Sequence, residues 1–191
     1  MKEKTNNYTK KPYTTLRRSD REVTDEAWIK AFLTRSAYGT LATSVDDQPF
    51  LNAGNYVYDE SQNTIYFHRA RKGRTSENLA ANNRVCYMVS EMGRVLIGES
   101  AGDFGVEYSS VIVFGRVELV EEEAEKSRAL QMLVDKYAPH LKVGEDYEPV
   151  SAHDLKRVAV YKIEIEEWSG KRRQAAPEHP GYTYPHFPEE S

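Results

Sequence analysis

The spacing of the strand-like runs constrains this chain most. Thr40–Val45, Phe50–Tyr58, Thr64–His68, Arg84–Ser90, Ser109–Val120 and Val158–Trp168 carry the apolar and β-branched side chains of short strands. The first three are joined by the polar turns Asp46-Asp47-Gln48-Pro49 and Asp59-Glu60-Ser61-Gln62-Asn63. Connections this short leave no room for a crossover helix, so the strands must run antiparallel. Six such segments with few, peripheral helices predict a mainly β fold. Curling the sheet into a closed or partly open barrel would hide its edges.

The helices are readable from caps and periodicity. Thr24 is placed to cap a helix over 25–36, with Asp25 and Glu26 near its positive end and Trp28, Ile29, Phe32 and Leu33 on one stripe. A short helix is expected around Ser76–Ala81. Another spans Glu121–Tyr137, with a core stripe of Leu130, Leu133, Val134 and Tyr137, and Pro139 ends it. Glu91–Glu107 contains Gly93, Gly98, Gly102 and Gly105 and shows no period, which predicts a long loop. Gly115 interrupts its strand and marks a bulge or a bend.

Charge divides the chain. Residues 1–22 hold Lys2, Lys4, Lys10, Lys11, Arg17, Arg18 and Arg21 against Glu3, Asp20 and Glu22, so they carry +4, and the rest must carry −8 to give the net −4. The division expected is therefore a basic arm over 1–22, a barrel domain over 23–170 and a flexible Pro/His/Tyr-rich tail over 171–191. An acidic body repels a polyanion, so nucleic acid is not expected as a partner, and the arm is read as folding over a partner subunit. Cys86 is the single cysteine, which excludes an intramolecular disulfide or a thiolate metal cluster and fits a reducing compartment. It is expected to pack its thiol within a strand. The polar N-terminus has no apolar signal-like run and no stretch is long enough to span a membrane, so a soluble, cytoplasmic protein is expected. His140 and His153 lack the close spacing of a metal motif, and no metal is expected.

One stretch carries chemistry: Ile65-Tyr66-Phe67-His68-Arg69-Ala70-Arg71-Lys72-Gly73-Arg74-Thr75-Ser76. Arg69, Arg71, Lys72 and Arg74 fall within six residues, after a strand and before a helix. Gly73 lets the backbone approach a ligand, and Ser76 adds a hydroxyl beside the helix's open N–H groups. Guanidinium forks, an ammonium and a helix N-terminus aimed at one place make an anion site, and a phosphate monoester suits it. His68 stands at the strand's end, within reach of whatever the turn binds, and its ordinary pKa suits proton exchange there.

The order of these motifs resembles the pyridoxamine 5′-phosphate oxidase-like superfamily, and within it the nitroimidazole-resistance branch. The resemblance runs collinearly over roughly residues 17–171. It rests on Tyr38-Gly39-Thr40-Leu41-Ala42-Thr43, Gln48-Pro49-Phe50, Asn55-Tyr56-Val57-Tyr58-Asp59, Ile65–Ala70 with Gly73-Arg74, Asn82–Tyr87, Tyr108-Ser109-Ser110-Val111 and Trp168-Ser169-Gly170-Lys171. It implies a six-stranded antiparallel split β-barrel, a homodimer with FMN in clefts at the subunit interface. By resemblance, Asn55, Tyr56 and Val57 line the flavin ring. His68 and Arg69 lie at its ring and ribityl side, and Lys72 and Arg74 near the phosphate. Ser109, Ser110, Trp168 and Lys171 approach from the later strands, the last two from the partner subunit. Thr75 stands where many relatives have lysine, so the phosphate contacts would be rebuilt from Arg71, Lys72 and Arg74. The implied activity is that of an FMN-dependent oxidoreductase acting on a small nitro-aromatic or quinone-like molecule, with His68 as proton donor. A pyridoxine-type phosphate is a further candidate substrate. The alternative is a non-catalytic barrel that binds flavin or haem, for which His179, His186, Tyr182 and Tyr184 of the tail are the candidate contacts.

Overall fold

The computed structural model describes residues 8–186; residues 1–7 of the expected arm and 187–191 of the expected tail lie outside them. The strands are β1 (Glu22–Val23), β2 (Gly39–Val45), β3 (Gln48–Gly54), β4 (Val57–Asp59), β5 (Thr64–Ala70), β6 (Arg84–Leu96), β7 (Gly105–Leu119), β8 (Val158–Arg173) and β9 (Gly181–Tyr182). The helices are α1 (Glu26–Arg35), α2 (Arg74–Ala81), α3 (Glu123–Tyr137) and α4 (Ala152–Arg157).

The strands form one antiparallel sheet in the order β3-β2-β6-β7-β8-β5-β4, with β1 added to β8 and β9 to β6. The terminal strands β3 and β4 are separated in the chain only by Asn55 and Tyr56. Two residues cannot cross an open sheet, since they span about 7 Å at full extension. The sheet must therefore curl until its ends meet, and its split runs between β3 and β4. This is the mainly β, antiparallel split barrel with peripheral helices that the sequence predicts. The expected run Phe50–Tyr58 is divided by the split, and two-residue strands are added at each end of the chain.

Period-two alternation explains the core. Ile65 and Phe67 of β5 point into the barrel with Leu41, Tyr87, Val111, Val113 and Ile163, and the Phe32 face of α1 closes the packing. Tyr66 points the other way and packs with Val57, Val160, Ala129 and Leu133 beneath α3. Each such fully buried side chain contributes about 1.5–3 kcal/mol.

Several boundaries differ from the sequence reading. Asp25, rather than Thr24, caps α1: its carboxylate accepts from Ala27 N (3.0 Å) and Trp28 N (3.4 Å). The β2–β3 turn is only Asp46-Asp47, both at positive φ (49° and 60°), and Gln48 and Pro49 already pair within β3. Positive φ at both central residues gives the turn the twist a tight hairpin needs. Glu91–Glu107 is mostly hairpin: β6 and β7 stay paired to Leu96↔Gly105, with an irregularity between Met92 and Val95, leaving a loop over 97–104. The predicted bulge is present, since the β7–β8 register shifts between Phe114 and Gly115 and a Cβ at Gly115 would collide with the Glu164 carbonyl. The six-residue α4, held by a Ser151/Asp154 capping box, has no counterpart in the sequence reading.

Tyr137 closes the split. Its hydroxyl accepts from Tyr56 N (3.0 Å) and donates to the Ala37 carbonyl (2.7 Å), tying the end of α3 to the β3–β4 junction. It is 39% exposed, so it serves as a hydrogen-bonding strap rather than the core residue its stripe suggested. The later chain is clasped as well. Arg94 bonds Glu107 and the carbonyls of Ala176, Pro177 and His179, while Ala175 N donates to the same carboxylate. These contacts set β9 along β6.

Candidate functional site

The expected anion turn sits at the mouth of the barrel, between the end of β5 and the start of α2. Gly73 adopts φ 129° with open space around a would-be Cβ, a conformation glycine favours. No side chain caps α2, so its first N–H groups are free for a ligand. Lys72, Gly73 and Arg74 are exposed beside them. The Arg74 guanidinium stands 5.9 Å from the Phe50 ring centre, at a cavity of about 440 Å³ shared with Gln48 and Asn78.

Two neighbours are otherwise engaged. Ser76 Oγ donates to the Ala70 carbonyl (3.0 Å) and so braces the turn. Arg71 Nη1 donates to the Lys156 carbonyl (2.8 Å), latching the turn to the end of α4.

His68 and Arg69 are adjacent in sequence but leave β5 on opposite faces. Arg69 follows Phe67 toward the barrel, with its guanidinium 5.2 Å from that ring and against Gly54, where a Cβ would lie 2.8 Å from Nη2. Its Nη1 donates to the His68 carbonyl, while Nε and Nη2 are buried without partners. His68 faces the α3 side, in a cavity of about 520 Å³ that Arg69 also lines, with Ala70, Leu130, Asp154, Arg157 and Val158. Its Nδ1 is also buried and unpartnered. Burial, reinforced by the Arg69 charge, lowers the His68 pKa, so the neutral imidazole prevails at pH 7.

The remaining predicted residues fall into two groups. Asn55, Tyr56 and Val57 sit at the split; Tyr56 is wholly buried and its hydroxyl donates to the Leu33 carbonyl (2.5 Å). Ser109 and Ser110 pair with Arg172 and Lys171, far along β8 from the turn. Arg69 pairs with Ala159 and Ser110 with Lys171, so the groups stand about 40 Å apart along the strand. Trp168 packs against the barrel core, and Lys171 Nζ lies 5.3 Å over the Tyr108 ring. A single chain thus brings His68 and Arg69 to one cavity and Arg74 of the turn to another, and neither contains the Ser109–Lys171 group.

The family described as pyridoxamine 5′-phosphate oxidase matches residues 25–172, most of the chain and every strand of the barrel path. The chain belongs to this family.

Solved structures agree with that membership. The flavocytochrome Anf3 from Azotobacter vinelandii is 25% identical, with a TM-score of 0.75 over 93% of this chain and 86% of that one. The FAD and haem binding protein from Mycobacterium smegmatis shares the fold at 18% identity, with a TM-score of 0.73 over 84% of this chain and 77% of that one. A candidate 5-nitroimidazole antibiotic resistance protein from Bacteroides thetaiotaomicron does so at 23% identity, with a TM-score of 0.66 over 79% and 86%. No curated protein matches the sequence.

Within this family barrel, two further buried groups without partners are ones whose unpaired burial the sequence did not reveal. Tyr87 is fully buried with an unpartnered hydroxyl, and Gly39 makes room for its ring, since a Cβ there would collide with it. Lys136 Nζ is buried and unpartnered 3.8 Å over the Tyr56 ring, and burial lowers its pKa to about 8. Only the pairing of Gly39 with Gly54 hints at these groups, and that pairing needs the β2–β3 register to be known. Among the described residues no cluster of metal-ligating side chains occurs, and no helix is long and apolar enough to cross a membrane.

Proposed function

We propose that this chain is an FMN-dependent oxidoreductase that acts on a small aromatic molecule as a homodimer. The observation that carries the reading is the uncapped start of α2, where exposed Lys72, Gly73 and Arg74 surround free backbone N–H groups. A phosphate monoester satisfies those donors and cations together. The unpartnered Arg69 N–H groups suit the carbonyl- and nitrogen-rich edge of a flavin ring. When bound, the flavin supplies hydride or single-electron transfer. The chain's own part is to hold the phosphate, to orient the ring from the Asn55–Val57 side, and to present a neutral His68 imidazole that can hold or pass one proton.

The homodimer is supported by the outer face of the sheet. Leu51, Ala42, Cys86 and Phe114 stand in one register row, next to Met88, and Leu51 and Met92 are 65% and 57% exposed. An apolar face of this kind calls for a partner. A second copy would also bring its own Ser109–Lys171 group to the turn, from which that group is separated within one chain. Cys86 lines this face only partly buried, where burial raises its thiol pKa, so it serves packing rather than reactivity. The lone cysteine also fits a cytoplasmic setting.

The similarity to Anf3 favours a second reading, a flavin- and haem-binding protein without turnover, in which the clasped tail with exposed His179 and His186 approaches the haem. An absorption spectrum of the purified protein separates the two. Oxidised-flavin bands, with FMN released on denaturation and bleaching by added dithionite that a nitro-aromatic reverses, support the oxidoreductase. FAD on release, or a Soret band, supports the second reading. A protein that stays colourless with added FMN contradicts both.

A further inference from the structure

We infer that the open cavity between β5, α3 and α4 is a binding site for a small organic monocarboxylate with an apolar body, gripped by Arg157 and His68. The inference rests on the flavoprotein reading only in placing this ligand beside the flavin turn, as the substrate or an effector of that site. The cavity measures about 520 Å³, large enough for a single ring and its substituent. Leu130, Val158 and Ala70 give it apolar walls, and His68, Arg69 and Arg157 are the side-chain hydrogen-bond donors among its lining.

Charge selects the ligand. Arg157 is exposed and makes no hydrogen bond or salt bridge among the described residues, though its charge helps to lower the Asp154 pKa, so its five N–H donors remain available for the fork geometry that suits a carboxylate. His68 Nδ1 is buried without a partner and, in its Nδ1–H tautomer, donates to an acceptor-only group. Asp154 also lines the cavity, but its Oδ2 is turned into its own helix, accepting from Ser151 N (3.0 Å) and Ser151 Oγ (2.6 Å). That fixed negative charge offsets part of the positive charge from Arg157 and Arg69. One negative charge on the ligand is therefore welcome, and two are not.

Geometry couples this site to the anion turn. Arg71 binds the Lys156 carbonyl (2.8 Å), so Arg157 is held one residue from a direct tie to the Arg71–Arg74 turn.

The test is isothermal titration of the full-length protein, with and without FMN, using benzoate, benzamide and phenyl phosphate as probes. Benzoate should bind, and Arg157→Ala should weaken it at least tenfold while leaving benzamide unchanged. Arg157→Lys, which keeps the charge but not the fork, should recover part of the loss and covers the case in which the alanine variant fails to fold. Benzoate that binds wild type and Arg157→Ala equally overturns the inference. So does absence of benzoate binding to wild type, tighter binding of phenyl phosphate than of benzoate, or complete displacement of benzoate by FMN. FMN uptake read by absorbance in the same samples reports on the flavoprotein reading separately, since Arg157 has no place in holding the phosphate.

Discussion

Arg128 of α3 meets Asp59 at the end of β4 at 2.6 Å, and this contact helps to fasten the longest helix to the strand beside the barrel split. Arg128 also donates to Gln62 and Tyr66, and Ser61 supports Asp59 from below. Burial alone would raise the Asp59 pKa, but hydrogen bonds from Ser61 and Arg128 outweigh it and hold the carboxyl below its ordinary value.

A depressed carboxyl pKa gives stability that is present above the unfolded value of about 3.9 and is lost as pH falls through the folded value. Asp59→Asn should therefore cost about 2 kcal/mol at pH 7, toward the low end for charged hydrogen bonds because Arg128 is 40% exposed. Urea unfolding of both proteins should show the gap closing as the pH drops below 4. A gap that does not narrow at all as the pH falls would mean that the pair does not act through its charge.

Gly39 and Tyr87 form a second testable couple. A Cβ at residue 39 would overlap the Tyr87 ring, which is completely buried, so Gly39→Ala should cost about 1–3 kcal/mol through overpacking. The Tyr87 hydroxyl has no partner, so Tyr87→Phe should change thermal stability of the ligand-free protein by less than about 1 kcal/mol. Thermal melts of the two variants check both. A large loss in Tyr87→Phe would reveal a hydrogen bond from that hydroxyl.

The Arg94–Glu107 clasp predicts local rather than global effects. Hydrogen bonds from Arg94 and from Ala175 N hold the Glu107 carboxyl down to about 2, so the clasp persists until the pH falls to that value. Arg94→Ala should speed amide exchange at Ile97 and across residues 175–182 while leaving the barrel strands protected. Hydrogen exchange read by mass spectrometry measures this, and uniform deprotection would show that the clasp supports the whole fold.

The helices and most strands were legible in the sequence because their burial is local. Ile29, Phe32 and Leu33 recur on one helical face, and Val85, Tyr87 and Val89 on one strand face, and all six are buried. Gly93 and Gly105 read as loop because a glycine states only that a side chain is absent. In the fold they sit in strands because Glu107 and Arg173 occupy the space beside them, a fact that depends on register. Likewise the basic turn after Phe67 was visible as a charge run, but the separation of His68 from Arg69 follows only once β5 is known to be buried on both faces. Helix α4 was hidden by its length of six residues, too few to show a period.

If the Lys72–Ser76 turn holds the phosphate of a flavin nucleotide, fluorescence quenching must separate FMN from riboflavin. Two or more charge-assisted hydrogen bonds to phosphate predict that FMN binds at least ~100-fold more tightly than riboflavin. In the Lys72→Ala, Arg74→Ala double variant, FMN should fall toward the riboflavin affinity while riboflavin itself is unchanged. Equal binding of FMN and riboflavin by the wild-type protein, or full FMN affinity in the double variant, would contradict the account.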